Sequence, residues 1–167
     1  MMDWRKEMDL LYHLLEQEVS NYHQLISDIK REAQCLRKGE TEPLMRSVRA
    51  IDERIQTIRI IEEQAQKTAE AVLQGLGKAE RGRTLSYLSS FLPPAHQSRL
   101  SSYLKTLSQL KAWARQINDQ NTSFIRDYMH FLSNLISPLT GRWNESMGYP
   151  KHKPLATSSS YALSQEV

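Results

Sequence analysis

The chain contains a single cysteine, Cys35, in 167 residues. One cysteine excludes an internal disulfide framework and any zinc site built from several cysteines. It is compatible with a reducing compartment, where thiols stay reduced. We therefore expect neither a disulfide scaffold nor a cysteine-based metal site.

The sequence also lacks an excess of charge of one sign. Its 22 Lys and Arg residues are scattered among 19 Asp and Glu residues, and the formal net charge is +3. Nucleic-acid-binding domains usually concentrate basic residues in a patch or stripe, and no such stripe is present. Nucleic acid is therefore not an expected partner.

Long apolar runs are missing as well. The longest uninterrupted runs fall far short of the roughly 20 apolar residues that a membrane-spanning helix needs. The N-terminal residues MMDWRKEMDLLYHLL carry charges where a signal peptide would have its apolar core, and they show no small-residue cleavage site. We expect a soluble cytoplasmic protein without membrane insertion.

Helical periodicity is the main feature that the sequence does have. From Leu100 to Leu135, apolar residues recur at steps that alternate between three and four, with no Pro or Gly between them. This pattern is the a/d stripe of a heptad repeat, which needs a partner helix to cover it. A helix from Leu100 to Ile136 would be roughly 55 Å long. Together with the helices below, it predicts an all-α fold, an elongated antiparallel bundle or coiled coil of three long helices and one short helix. The stripe consists of Leu100, Tyr103, Leu107, Leu110, Ala114, Ile117, Asn121, Phe124, Tyr128, Phe131 and Leu135.

Asn121 is the one polar residue of this stripe. A buried Asn at such a position fixes the register of helix packing at some cost in stability. Alternatively, its amide could orient a helix that the protein binds. Both interpretations are open from the sequence.

The first long helix is predicted from Asp3 or Trp4 to about Lys38. From Leu15 onward its apolar residues again follow steps of four and three. Gly39 follows two cations, and this combination is typical of a helix C-terminus.

The second long helix follows after a short turn. Thr41 or Glu42 is expected to cap it, with Pro43 near its first position. Such a short connection predicts that the second helix packs antiparallel to the first. Where its apolar series has a gap, we expect Ile61 rather than Glu62 to point inward.

A glycine-rich segment at residues 75–82 ends the second helix and is predicted to be a mobile link. A short helix is expected at residues 84–92, with Thr84 as its cap. Two consecutive prolines then precede the third long helix, which is expected to begin around Ala95 or His96.

The C-terminal part of the chain shows no periodicity. Pro138 and Gly141 are predicted to stop the third long helix, so that residues 1–138 form the helical domain and residues 139–167 a flexible tail. The bulky residues of this tail either become ordered on a partner or fold back onto the bundle. They are Trp143, Met147, Tyr149, Leu155 and Tyr161.

No pattern of catalytic or metal-binding residues emerges. The segment Gly-Leu-Gly-Lys at residues 75–78 lacks the spacing of a phosphate-binding loop and follows a helix instead of a strand. Cys35 lies beside the first apolar stripe and is expected to be a small buried or boundary residue. Four histidines lack partners at metal-binding spacing and are expected at the surface or its boundary. These four are His13, His23, His96 and His130. We expect no metal, no cofactor and no enzymatic activity.

Several short motifs occur in a characteristic order along the chain. Leu-Leu-x-x-Glu lies at residues 14–18, and Gly-Glu forms the first turn at residues 39–40. Thr-Leu-Ser-Tyr-Leu-Ser-Ser-Phe-Leu-Pro follows at residues 84–93. The third long helix then carries Leu-Lys-x-Leu and Asn-Asp-Gln-Asn-x-x-Phe-Ile, and Tyr149 follows in the tail. In this order, over roughly Leu10 to Tyr149, the motifs resemble the FlgN family of flagellar export chaperones.

The resemblance implies a cytoplasmic helical chaperone. Its clients would be the hook–filament junction proteins FlgK and FlgL, whose C-terminal helical segments the family binds before export. The resemblance further implies delivery of these clients to the flagellar type III export gate, where a tail tyrosine contacts the gate protein FlhA. Tyr149 is the matching tyrosine here.

By helix-in-groove recognition, the end of the third long helix would form the apolar floor under a client helix. Tail residues would clamp the client or face the export gate. A generic coiled-coil adaptor or self-assembling structural protein without a client is the alternative, and a homo-oligomer is compatible with either. The floor residues are Phe124, Tyr128, Phe131, Leu132, Leu135 and Ile136, and the tail residues are Trp143, Met147 and Tyr149.

Overall fold

Four α-helices make up the described part of the chain. The computed structural model describes residues 4–78 and 85–147, with side chains through residue 134 and at residue 136. The helices are α1 (Trp4–Lys38), α2 (Thr41–Gly75), α3 (Leu85–Ser89) and α4 (Pro94–Met147). These ranges contain no strand, and the predicted all-α class of three long helices and one short helix is confirmed.

Helices α1 and α2 end in the same way, at a glycine with left-handed backbone. Gly39 has φ +68° and Gly77 has φ +72°. After α2, the Gly77 amide donates to the carbonyl of Gln74 and the Lys78 amide donates to that of Leu73. The amides that follow α1 repeat this pattern. Both are Schellman motifs, in which glycine avoids the clash that a Cβ would cause at positive φ. The predicted stop at Gly39 is therefore confirmed.

Two helix starts differ from the prediction by a residue or two. Glu40, rather than Thr41 or Glu42, occupies the N-cap of α2, and its side chain makes no capping hydrogen bond. Helix α4 begins at Pro94, before the expected Ala95. Proline suits the first turn because the amides there have no acceptor within the helix.

The predicted stop at Pro138 and Gly141 is wrong, because α4 continues to Met147. A proline removes one backbone hydrogen bond and strains the turn before it, at a cost of about 3 kcal/mol. The bonds on either side of it remain, so a long helix can pass through. The division into a domain at residues 1–138 and a tail at residues 139–167 stays a prediction.

Helix α3 is shorter than predicted, although the predicted apolar face exists. Leu88 is completely buried and Leu92, in the turn after α3, is 7% exposed. The predicted cap Thr84 and residues 79–83 of the glycine-rich link lie outside the described residues.

The chain divides into two units, Met1–Arg126 and Asp127–Val167. In the first unit, one core cluster joins side chains from all four helices, among them Leu15, Val72, Leu88 and Leu100. A second cluster joins α1, α2 and α4 around Ile29, Ile58 and Leu110. Ile61 is buried, as expected. In the second unit, the described part is the end of α4, residues 127–147.

Contacts within the first unit give the helix directions. From α1 to α2, Tyr22 contacts Glu62 and Asp28 contacts Arg54, so the two helices run antiparallel. From α1 to α4, residues near the start of one helix contact residues near the start of the other. Tyr12 hydrogen-bonds to His96, and the backbone of Ile29 accepts from Asn121. Helix α4 therefore runs parallel to α1 in this unit.

Candidate functional site

The heptad stripe of α4 passes from burial to exposure along the helix. Within the first unit, Leu100, Leu107 and Leu110 are buried in the core. Asn121 is still buried, but Phe124 is 42% exposed. The sequence pattern continues unchanged over this transition, so the change comes from tertiary packing.

The described floor residues of the second unit are largely accessible. Tyr128 is 54% exposed, Phe131 57% and Ile136 51%, whereas Leu132 is half-buried. The side chain of Leu135 lies outside the described residues. A group of large, exposed apolar side chains is typical of a surface that binds another protein. Their assignment to a client stays a prediction.

Sequence analysis missed Met129, which is 60% exposed in the second unit. It precedes Leu132 by three residues and Ile136 by seven, so these three share one side of the helix. These residues form a second apolar series, offset by one residue from the heptad stripe, and this series is visible in the sequence.

The structure describes only part of the predicted tail residues. Trp143 and Met147 belong to α4, since the helix ends at Met147. Their side chains lie outside the described residues, as does the whole of Tyr149. Their contact with a client or export gate stays a prediction.

Asn121 connects α4 to α1. Its Nδ2 donates to the carbonyl oxygen of Ile29 at 3.1 Å and to Oε2 of Glu32 at 3.0 Å. A buried amide with such partners holds the two helices in one register. The contacts thus support the structural interpretation over the client-orienting one.

A charged cluster lies between the three long helices of the first unit. Lys111 Nζ is 2.7 Å from Glu62 Oε1 and 3.2 Å from Glu18 Oε1. Tyr22 donates its hydroxyl to the same oxygen of Glu62 at 3.3 Å. The Glu18 side chain is 3% exposed, and its Oε1 accepts no hydrogen bond from any described residue, although the ammonium of Lys111 lies close to it.

Burial dominates the acid–base behaviour of this cluster. It raises the pKa of Glu18 from 4.5 to about 7; the charge of Lys111 opposes this rise and that of Glu62 adds to it. Burial, with the charge of Glu62, also raises the pKa of Tyr22. For Lys111, burial acts to lower the pKa, but the hydrogen bond to Glu62 and the negative neighbours raise it overall. Lys111 therefore stays charged while Glu18 titrates near neutral pH.

A groove of about 430 Å³ lies between α1 and α4 in the first unit. Ala33 and Leu36 of α1 and Ile117 of α4 contribute half-buried apolar side chains to it. Lys30 and Arg37 of α1 line it with exposed cationic side chains. Such a groove combines an apolar surface with positive charge.

Trp113 is the most prominent side chain of this groove, and sequence analysis did not select it. The indole is 43% exposed, and Lys30 Nζ lies 4.4 Å from a ring centroid. The contact is a cation–π interaction, worth about 0.5–1 kcal/mol at an exposed site. Trp113 precedes Ile117 by four residues and Phe124 by eleven, so it lies on the same side of α4 as these two stripe residues, and this spacing was the available signal.

The histidines and the cysteine occupy the environments that we expected. His13, His23 and His130 are exposed, and His96 is half-buried against Tyr12. Cys35 is buried. In residues 4–78 and 85–147, no three His, Cys, Asp or Glu side chains come together as metal ligands. None of the helices in these ranges is long and apolar enough to cross a membrane.

Comparison with known proteins places the chain in a family. Residues 2–156 match the family model described as FlgN protein. Neither a search of curated proteins nor a search of solved structures returned a significant match. Because the matched segment covers most of the 167 residues, the chain belongs to the FlgN family, a family of flagellar export chaperones.

Proposed function

We propose that this chaperone binds the C-terminal helical segments of the hook–filament junction proteins FlgK and FlgL. It keeps them from assembling prematurely and delivers them to the export-gate protein FlhA. Family membership supports the general role, and the exposed apolar end of α4 is the observation that supports the client site. The protein acts in the cytoplasm and has no enzymatic role.

The proposed mechanism is helix-in-groove recognition. In the second unit, Tyr128 and Phe131 are each more than half exposed. An amphipathic client helix would cover such side chains with its own apolar stripe. The same client stripe would then be unavailable for assembly with other subunits. The client helix would take the place of a further helix against the apolar stripe of α4.

Calorimetric titration with the FlgK and FlgL C-terminal segments tests this proposal. Tight one-to-one binding is expected for the wild-type chain. Replacing both Tyr128 and Phe131 with Ala should weaken it by at least about 30-fold, because truncating a buried aromatic anchor costs about 2 kcal/mol or more. Ile60→Ala is the matched control, since Ile60 of α2 is 57% exposed but lies outside the floor. Its affinity should stay unchanged.

The two possible failures have different meanings. Unchanged affinity of a folded Tyr128→Ala/Phe131→Ala variant would refute the floor assignment. Absence of binding by the wild-type chain would refute the client assignment and favour a coiled-coil adaptor without a client. Sedimentation of the chain alone and with the segments is an independent measurement, because an adaptor without a client keeps a fixed mass and a chaperone gains mass when a segment is added.

Contact with the export gate is a separate step. A Tyr149→Phe variant should keep client affinity and lose part of its binding to the cytosolic domain of FlhA, if the hydroxyl makes the contact. Trp143→Ala and Met147→Ala, tested against both partners, would assign each tail residue to client or gate. If all three variants bind the cytosolic domain of FlhA as tightly as the wild-type chain does, a gate-docking role for the tail is refuted.

A further inference from the structure

The groove between α1 and α4 has a charge pattern that the proposed floor does not have. Among the described residues that line it, two side chains are cationic, Lys30 and Arg37, and none is a carboxylate. The part of the chain that the structure describes offers no carboxylate paired with either cation. The two acids of α1 nearest to Lys30 in sequence have other partners: Asp28 pairs with Arg54, and Glu32 accepts from Asn121. The groove therefore presents unneutralised positive charge beside apolar surface.

The two cations are regularly placed. Seven residues separate Lys30 from Arg37, which puts both on one side of α1, two turns apart, at about 10.5 Å along the helix axis. Gln34 lies between them on the same side and also lines the groove. A second helix lying along the groove would match this interval with two of its own residues seven positions apart.

The floor of the groove suits an apolar side chain. Trp113 and Ile117 of α4 face Ala33 and Leu36 of α1 across it. The ammonium of Lys30 is already held over the indole of Trp113, so its position does not have to be established on binding. An occupant therefore needs an apolar stripe flanked by acidic residues.

We infer that this groove binds an acidic amphipathic helix whose carboxylates, seven residues apart, pair with Lys30 and Arg37 while its apolar stripe covers Trp113. The inference rests on the proposed function, since the helix is taken to belong to an export client. It adds contacts in the first unit beyond Phe124, which lines the groove and belongs to the proposed floor, and it states the chemistry that selects the client. Charge complementarity supplies orientation and specificity, and the apolar contact supplies affinity.

Trp113 provides a local probe of the groove. In a chain with Trp4→Phe and Trp143→Phe, it is the only tryptophan, since the sequence has three. Three synthetic helical peptides share one apolar stripe. The first has Glu at two flanking positions seven residues apart, the second has Lys there, and the third has the same composition as the first with both Glu on the opposite face. Circular dichroism verifies that the double variant is folded.

Only the first peptide should shift the Trp113 emission to the blue, with an affinity at least tenfold above that of the other two. Lys30→Glu/Arg37→Glu should reverse the preference toward the Lys peptide. The matched control is Arg31→Glu/Lys38→Glu, which changes the net charge equally on exposed residues of α1 outside the groove. It should retain the preference for the acidic peptide.

Equal binding of all three peptides, an unresponsive Trp113, or the same reversal in the control variant would overturn the groove inference. The FlgK and FlgL segments separate it from the proposed function. If they bind the wild-type chain tightly and Lys30→Glu/Arg37→Glu does not weaken them, the groove inference fails and the chaperone function stands. If they do not bind at all while the acidic peptide still occupies the groove, the client assignment fails and the groove remains an acidic-helix site.

Discussion

Replacing Glu18 with Gln should stabilise the first unit above neutral pH. Glu18 is almost completely buried, with a relative exposure of 2% for the whole residue. Burial is the main reason that its pKa rises from 4.5 to about 7. The folded state therefore binds a proton on this carboxyl more tightly than the unfolded chain does.

The sign of the pH dependence follows from this difference. Below about pH 4.5 the carboxyl is protonated in both states and carries no penalty. Between about pH 4.5 and 7 the unfolded chain loses the proton first, so the free energy of unfolding falls as pH rises. At about 1.4 kcal/mol per pH unit over a shift of about 2.5 units, the full loss is about 3.5 kcal/mol at most. Glutamine is neutral at every pH and avoids this loss.

Urea unfolding followed by circular dichroism at pH 5 and pH 8 measures the effect. At pH 8, Glu18→Gln should raise the free energy of unfolding by about 1–3 kcal/mol, a shift of the urea midpoint of about 1 M. At pH 5 the gain should be smaller, below about 1 kcal/mol, because most of the pH-dependent loss lies above that pH. Glu63→Gln, at an exposed glutamate of α2, removes the same charge without the burial and should change little at either pH.

Two outcomes would refute the reasoning. A destabilised Glu18→Gln at pH 8 would mean that the ion pair with Lys111, at 3.2 Å, outweighs the cost of burying the carboxylate. An equal gain at pH 5 and pH 8 would mean that packing, and not ionisation, distinguishes the two side chains.

Two further predictions concern helix ends and register. Gly77→Ala should lower the free energy of unfolding by about 1–2 kcal/mol, because a Cβ is strained at φ +72° although no atom lies within 4 Å of it. Gly77→Asn should lower it by less in the same urea titration, and equal losses for the two variants would contradict backbone strain as the cause. Asn121→Ala removes the hydrogen bonds to Ile29 and Glu32 and should cost about 1–2 kcal/mol. Exposed Asn118→Ala is its control, and a cost no larger than that of the control would show that the buried amide does not fix the packing of α1 on α4.

Much of the local structure follows from short-range chemistry. The predicted start of α1 near Trp4, its end at Lys38 and the stop at Gly39 agree with the structure. Each depends on a residue whose backbone preference acts without distant contacts, such as glycine at positive φ. The choice of Ile61 as the inward residue follows equally from the heptad spacing.

The errors arise where local preferences compete with the rest of a helix. Pro138 disfavours a helix, yet the turns on both sides of it continue, and α4 reaches Met147. Glu40 occupies the cap of α2 although Thr41 is the better capping residue. A helix boundary predicted from one residue is therefore displaced or absent where the backbone hydrogen bonds on both sides of that residue stabilise the helix.

The sequence by itself determined the helices, the heptad stripe and the resemblance to the FlgN family, because each is a pattern along one chain. Only the tertiary structure decided which parts of the stripe are covered: Leu110 lies in the core, and Tyr128 is more than half exposed. It also decided that Glu18 is buried beside Lys111 and that Lys30 lies over Trp113. Burial and charge pairing depend on residues distant in sequence, so they come into being only when the helices pack.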